Sequence, residues 1–399
     1  MKRFLSAALA VLLLLLPVSV YATEEAPLYP YGDAAAYWYE EYEEAAEFTG
    51  DLKVKSAYLT DYGTGRVLYA FNENERRPIA SVTKIMTTLL VFEALDDGRI
   101  SYGDTVTVSD YAASMGGSQV YLEPGEQMEL RDMLKALIVS SANDATVALA
   151  EHIAGSVETF TSMMNNRAHE LGMDNTHFAN PHGLDDENHY SSAKDVAIMT
   201  RELLSHPDVT GFTTIWMDTI RGGEFGLANT NKLIRFYNGA NGMKTGFTNA
   251  AGFCLSGTAL RDGLQLIAVV LGGETSDDRF AAVKKLLDFG FANYCAVTPE
   301  RLQIEDLFIS GGTDNYLSVN YDPPALLLEK GKNNEAEQRV VMNDNVAAPV
   351  SEGDRVGTVY ITVGGEPVAE CPVYAQESIP RIGFWELLGR VWREMLGFL

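Results

Sequence analysis

Between Ile79 and Leu95 the chain is almost continuously apolar, interrupted by Ser81, Thr83, Lys84, Thr87, Thr88 and Glu93, and it stops at Asp96-Asp97-Gly98. A run apolar on all sides and closed by a glycine predicts a buried helix from Ser81 to about Leu95. Two more helices follow around a polar break: 133–139 is apolar apart from Lys135, Ser140-Ser141-Ala142-Asn143 is mostly polar, and 145–150 is mostly apolar again. The period then changes. Residues 252–258 alternate and 264–271 form a second strand-like run, while 242–248 read as short and extended after a turn at 238–241. Further on, alternating stretches such as 356–363, with turns like Gly364-Gly365, predict a small all-β domain over 299–378.

Both ends carry patterns of their own. Met1-Lys2-Arg3, an apolar core at 7–16 and Val20-Tyr21-Ala22 form an export signal expected to be cleaved after residue 22. That apolar run is too short to span a bilayer comfortably. At 379–399, Phe384, Trp385, Leu387, Leu388, Val391, Trp392, Met395, Leu396, Phe398 and Leu399 fall mainly on one side of a helix. Glu386, Arg390, Arg393 and Glu394 fall on the other, so the segment is expected to lie in a membrane interface rather than cross it. Docking on the protein itself is the alternative.

Charge narrows the partners. The chain carries 55 acidic and 30 basic residues, a net charge of −25, and loss of residues 1–22 removes two cations and no acid, giving −27. Such acidity excludes nucleic acid as a partner class. Residues 23–50 are acidic and aromatic and read as an arm or short helix. Cys254, Cys295 and Cys371 are odd in number and lie in no motif, so no disulfide framework is expected.

The chemistry lies in three short elements in a fixed order: Ser81-Val82-Thr83-Lys84, Ser141-Ala142-Asn143 and Lys244-Thr245-Gly246. Ser81 opens a helix, where backbone N–H groups are free and the dipole is positive. Serine needs a base, and an amine one turn on is a candidate. Lys84 must then lose its charge, from a reference pKa of about 10.4; burial and a second cation, Lys244, would push it down. Read alone, Ser81 is equally a helix cap and Lys84 a surface charge, and 140–144 equally a structural turn. A second Ser-x-x-Lys at Ser191–Lys194 shows the difference: Ser192 and Asp195 read as a capping box opening a helix from Ala193 to about Leu204. Gly246 lets a ligand approach the backbone of an edge strand.

In these elements the chain resembles the serine D-alanyl-D-alanine carboxypeptidases, the low-molecular-mass penicillin-binding proteins. The resemblance runs from about Lys53 to the C-terminus and includes the segments 57–68 and 137–145, His182-Gly183-Leu184-Asp185 and Gly272-Gly273. It implies an α+β, β-lactamase/transpeptidase-like domain over 51–298. That domain is an antiparallel sheet with helices and a helical lobe at roughly 105–204, and the all-β domain and amphipathic helix follow it. The implied roles are Ser81 as acylated nucleophile, Lys84 as its base, Ser141 as proton donor to the leaving amine, and Asn143 as holder of lysine and substrate. Lys244 and Thr245 would bind the substrate carboxylate, with Arg279 as a further candidate, and the N–H groups of Ser81 and Phe247 would form the oxyanion hole beside Gly246. The implied substrate is the peptidoglycan stem peptide, with β-lactams as inhibitors and no metal or cofactor. Phe247 replaces a histidine of some relatives, and Ala142 a common glycine.

A class A β-lactamase is the competing enzyme, but the Glu-x-x-Leu-Asn of those enzymes is missing, the corresponding stretch being 175–184. Penicillin is therefore expected to acylate Ser81 and leave slowly. A silent binding protein for peptidoglycan is the reading from another class. His177, His182 and His189 beside Asp185 and Asp186 raise the question of a metal site; a polar loop packed beside the active site is the favoured reading.

Overall fold

The computed structural model describes residues 36–37, 48–331 and 336–396. The export signal over 1–22 and most of the 23–50 segment lie outside the described residues.

A five-stranded antiparallel sheet is built from β1 (Ser56–Asp61), β2 (Val67–Phe71), β3 (Ala240–Thr248), β4 (Gly252–Arg261) and β5 (Leu264–Gly273), in the order β2-β1-β5-β4-β3. β5 is central, pairing with both β1 and β4, and its alternate side chains enter the cores on the two faces of the sheet, which explains its continuous apolar run. One face packs on α6 (Ser276–Asn293) through Leu255, Leu266, Val270, Val283 and Leu287. The other face meets the helical lobe, whose core includes Ile85, Leu89, Phe92, Leu137, Val147 and Met199.

That lobe holds α1 (Lys84–Asp96), α2 (Leu130–Val139), α3 (Asn143–Ala154), α4 (Val157–Glu170) and α5 (Ala193–Leu204). α1 is buried on nearly every side, as its all-round apolar sequence requires. Ser192 caps α5 by accepting from the Asp195 N–H at 3.1 Å, so the second Ser-x-x-Lys is a helix start. The reciprocal half of the box is absent: the Asp195 carboxylate accepts instead from the Asn175 N–H and Thr176 Oγ1. Sequence periodicity does not reveal the hairpin of Met217–Ile220 with Phe225–Ala228, whose strands are too short to show a pattern.

Past Val297 a separate core forms around Ile309, Leu317, Val356, Val359, Ile361 and Val373. Here β6 (Ala336–Met342), β7 (Arg355–Val363) and β8 (Glu366–Ala375) pair antiparallel. The outer edge of β8 takes Val319–Asn320 and the two-residue strand Ala36–Tyr37. α7 (Phe384–Leu396) ends the described chain, and among the described residues no helix is long and apolar enough to cross a membrane.

Candidate active site

Ser81 does not lie in the first turn of an α-helix but in a 3-10 turn, Ala80–Thr83, that runs directly into α1. In a 3-10 turn, side chains three apart eclipse one another. Lys84 Nζ accordingly lies 3.0 Å from Ser81 Oγ. It also donates to Asn143 Oδ1 at 2.6 Å and to the His182 carbonyl at 2.7 Å. The Asn143 amide is oriented by its Nδ2 donating to the Gly116 carbonyl, which leaves Oδ1 as acceptor.

These partners dictate what a neutral amine would do. It has two hydrogens and one lone pair, and two carbonyl-type oxygens that can only accept claim both hydrogens. The lone pair is left facing the Ser81 hydroxyl. Burial pushes the Lys84 pKa well below its ordinary value, the charge of Lys244 lowers it further, and Asp144 acts against them.

Asn143 opens α3 after Ala142 as N-cap, and Ser141 before it adopts a left-handed φ of 60°. Both are buried, and no hydrogen bond to Lys84 involves the Ser141 hydroxyl. The adjacent Asp144 carboxylate accepts from the N–H groups of Val120 and Leu122, and the Asn143 N–H donates to the Ser118 carbonyl. From the far side Arg221 donates to the carbonyls of Val120 and Tyr121 and to both oxygens of Glu126. The 116–122 loop is thus gripped on both sides and walls the site.

β3 is the edge strand and supplies the opposite wall. Lys244 is buried and donates to the Thr245 carbonyl; burial, then the charge of Arg279, lower its pKa to about 7. Thr245 Oγ1 donates to Thr230 Oγ1 at 2.7 Å. Gly246 passes so close to the serine turn that a Cβ there would lie 2.6 Å from the Ile79 carbonyl oxygen and 3.1 Å from the Ser81 nitrogen. Phe247 is 51% exposed and stacks on Phe253. Arg279 lies beneath the strand with Nη1 donating to the carbonyls of Gly246 and Cys254, and its guanidinium against Phe253 and Phe280.

The sequence-predicted residues from all three elements thus meet at one cleft. Sequence reading placed a polar histidine-bearing loop beside the active site; what it missed is how residues 179–189 of that loop close around the serine turn. Its His182 carbonyl is Lys84's third partner, its Gly183 packs on Ala80, and its Asp185 accepts from Thr248 Oγ1 at the end of β3. A backbone carbonyl leaves no trace in sequence; the only signal is three histidines within one short polar loop. Nδ1 of both His182 and His189 accepts a backbone N–H, and no cluster of metal-ligating side chains occurs among the described residues.

Residues 42–275 match the D-alanyl-D-alanine carboxypeptidase family, and 305–381 match the penicillin-binding protein 5 C-terminal domain. The chain is 44% identical to D-alanyl-D-alanine carboxypeptidase DacF of Bacillus subtilis over 85% of this chain and 89% of that one. Penicillin-binding protein 5 from Haemophilus influenzae superposes with a TM-score of 0.72 at 32% identity, covering 84% of this chain and 100% of its own. Penicillin-Binding Protein D2 from Listeria monocytogenes, solved in an ampicillin-bound form, superposes at 0.56 with 34% identity over 60% of this chain and 98% of its own. Extending through both the sheet-and-helix part and the all-β part, these matches show that the chain belongs to the D-alanyl-D-alanine carboxypeptidase family of serine peptidases.

Proposed function

We propose that Ser81 is the acylated nucleophile of this carboxypeptidase and Lys84 its general base, acting on the terminal D-alanyl-D-alanine of peptidoglycan stem peptides. The observation that carries the assignment is the fully buried Lys84 amine, whose hydrogens are claimed by two carbonyls and whose remaining direction faces Ser81 Oγ. Neutral Lys84 takes the hydroxyl proton as Ser81 Oγ attacks the carbonyl carbon of the penultimate D-alanine. The oxyanion is held by the N–H groups of Ser81 and Phe247. Lys244 and Thr245 hold the terminal carboxylate, with the charge of Arg279 behind them. As the tetrahedral species collapses, the C–N bond breaks and the departing D-alanine amine gains its proton through Ser141. Water then cleaves the Ser81 ester and frees the shortened peptide.

Penicillin presents a carboxylate and a strained amide in the same arrangement, so Ser81 opens the lactam and keeps the acyl group. Without the Glu-x-x-Leu-Asn glutamate nothing is placed to speed its hydrolysis.

The remaining assignments concern location. Residues 1–22 would direct export, 51–298 would form the catalytic domain, 299–378 would act as a stalk, and the helix at the end would rest in the outer leaflet of the cell membrane. Supporting the last point, Phe384, Trp385, Trp392 and Met395 of α7 are all more than half exposed.

Mass spectrometry of the purified protein with penicillin, and separately with a D-alanyl-D-alanine stem peptide, tests the reading beside Ser81→Ala. A stable adduct on Ser81 and release of D-alanine are expected, both absent in the variant. Rapid penicillin hydrolysis without an adduct would mean a β-lactamase, and neither reaction would mean a silent binding protein.

A further inference from the structure

The peptide group joining Ala80 to Ser81 is held by its carbonyl end. Ala80 has a φ of 47°, a left-handed conformation that an alanine adopts only when its surroundings impose it. Its carbonyl oxygen accepts from Thr83 Oγ1 at 2.8 Å, and Thr83 Oγ1 lies 2.7 Å from His189 Nε2. The other ring nitrogen, Nδ1, accepts from the Ala179 N–H at 3.1 Å. A neutral imidazole that accepts at Nδ1 carries its hydrogen on Nε2, so His189 donates to Thr83. With its acceptor side occupied, the Thr83 hydroxyl has one place for its own hydrogen, the Ala80 carbonyl. Thr83 and His189 are both buried, so no bulk water competes, and burial lowers the His189 pKa to about 4, keeping the ring neutral.

The C=O and N–H of one trans peptide point in opposite directions. Fixing the Ala80 oxygen toward Thr83 therefore turns the Ser81 N–H the other way. That N–H has no acceptor among the described residues, and Gly246 of β3 is the backbone that passes beside it. Gly183 closes the same carbonyl from outside, where a Cβ would lie 2.0 Å from the Ala80 oxygen.

We propose that His189 is a positioning residue for the oxyanion hole: acting through Thr83, it pins the Ala80–Ser81 peptide so that the Ser81 N–H points to where the oxyanion forms. The proposal rests on the reading of Ser81 as nucleophile and hole donor. No proton moves along the chain of bonds; its whole effect is orientation. None of the three motifs contains His189, and its tie to the nucleophile is made only by the fold.

The test compares His189→Phe, Thr83→Val, Thr83→Ser and the Phe/Val double variant in the full-length protein. Two quantities are read: the penicillin acylation rate, and the kcat/KM ratio for an acyl-D-alanyl ester over its thionoester, whose C=S is a poor acceptor for N–H donors. Losing the aim of one donor should slow acylation about 10- to 100-fold in each single variant, given the ~100- to 1000-fold effect of deleting such a donor. The double variant should be no slower than the worse single one, because both break the same link. The ester preference should fall in step, and Thr83→Ser should return both quantities to within about threefold of wild type. Losses that add, or slower acylation with the ester preference unchanged, would overturn the proposal and leave His189 a packing residue. Should His189→Phe not fold, Thr83→Val against Thr83→Ser decides by the same ratio. Ser81→Ala separates the two readings: an adduct surviving in that variant would refute the nucleophile assignment itself.

Discussion

Lys84 and Lys244 are buried at the same cleft, and the charge of Lys244 is the largest influence on Lys84 after burial itself. Two ammonium groups in one low-dielectric site cannot both stay charged cheaply. Burial and the charge of Lys244 hold Lys84 well below its ordinary pKa, while burial and the charge of Arg279 bring Lys244 to about 7, where it keeps substantial charge at neutral pH. The site thus favours one neutral amine beside one charged amine.

Removing the Lys244 charge should therefore impair Lys84. In Lys244→Met the repulsion is gone, the Lys84 pKa rises, and less of it is neutral at a given pH. The acid limb of the penicillin acylation profile, followed from roughly pH 5 to 9, is expected to move to higher pH as its plateau falls. Lys244→Arg should leave the limb near its wild-type position. A limb that stays put in Lys244→Met would mean that burial alone sets Lys84.

Gly183 bears on the same geometry from the loop side. Its φ of 87° and the 2.0 Å approach of a hypothetical Cβ to the Ala80 oxygen leave no room for a methyl group. Backbone on both sides prevents relief by a rotamer change, so Gly183→Ala should cost about 3 kcal/mol or more. Urea denaturation would measure this, and acylation of any folded fraction should be slow. A variant within about 1 kcal/mol of wild type, on the order of a surface substitution, would show that the loop yields freely.

Acid should destabilise the fold through its buried histidines. Burial lowers His182 to about 3 and His189 to about 4 from an ordinary 6.5, with the charge of Lys84 adding to the effect on His182. Between those values and 6.5 the unfolded chain binds more protons, so this stability is present above 6.5 and lost as pH falls toward 4. The raised carboxyls of Asp61, Glu93 and Asp195 work in the opposite sense, which makes a difference measurement the cleaner one. Urea midpoints at neutral and mildly acid pH should fall more in wild type than in His189→Gln. Equal slopes would contradict the assignment.

Truncation tests the membrane reading. The Ile382 N–H donates to the Gly311 carbonyl and Arg381 bridges to Gly312, so the chain up to 382 belongs to the all-β part. Deleting 384–399 removes α7 and the Arg390 contact to Asn315 and spares that pairing. The truncated protein should leave the membrane fraction and keep its penicillin acylation. Continued pelleting with membranes would contradict α7 as the anchor.

Patterns local in the chain are legible in the amino-acid order itself. The buried α1, the alternating β4, the serine cap of α5 and the two-sided C-terminal helix each follow from neighbours within a few residues. So do the three motifs, because their chemistry requires particular residue types at short spacing. Ser81 departs from its expected place in one respect: the 3-10 turn depends on Ala80 adopting a left-handed φ, and alanine carries no sign of that.

Residue types and their order thus determined the reaction class, the nucleophile candidates and the layered α+β plan. Tertiary structure alone decided that Lys84 can be neutral, since its pKa depends on burial and on Lys244 far along the chain, and that a carbonyl of His182 accepts from it. It decided equally that Arg279 faces the Gly246 carbonyl and that His189 reaches Thr83. The physical reason is common to all of these. Hydrogen bonds and charge effects act over a few ångströms of space, and only the folded sheet and loops bring those atoms within reach.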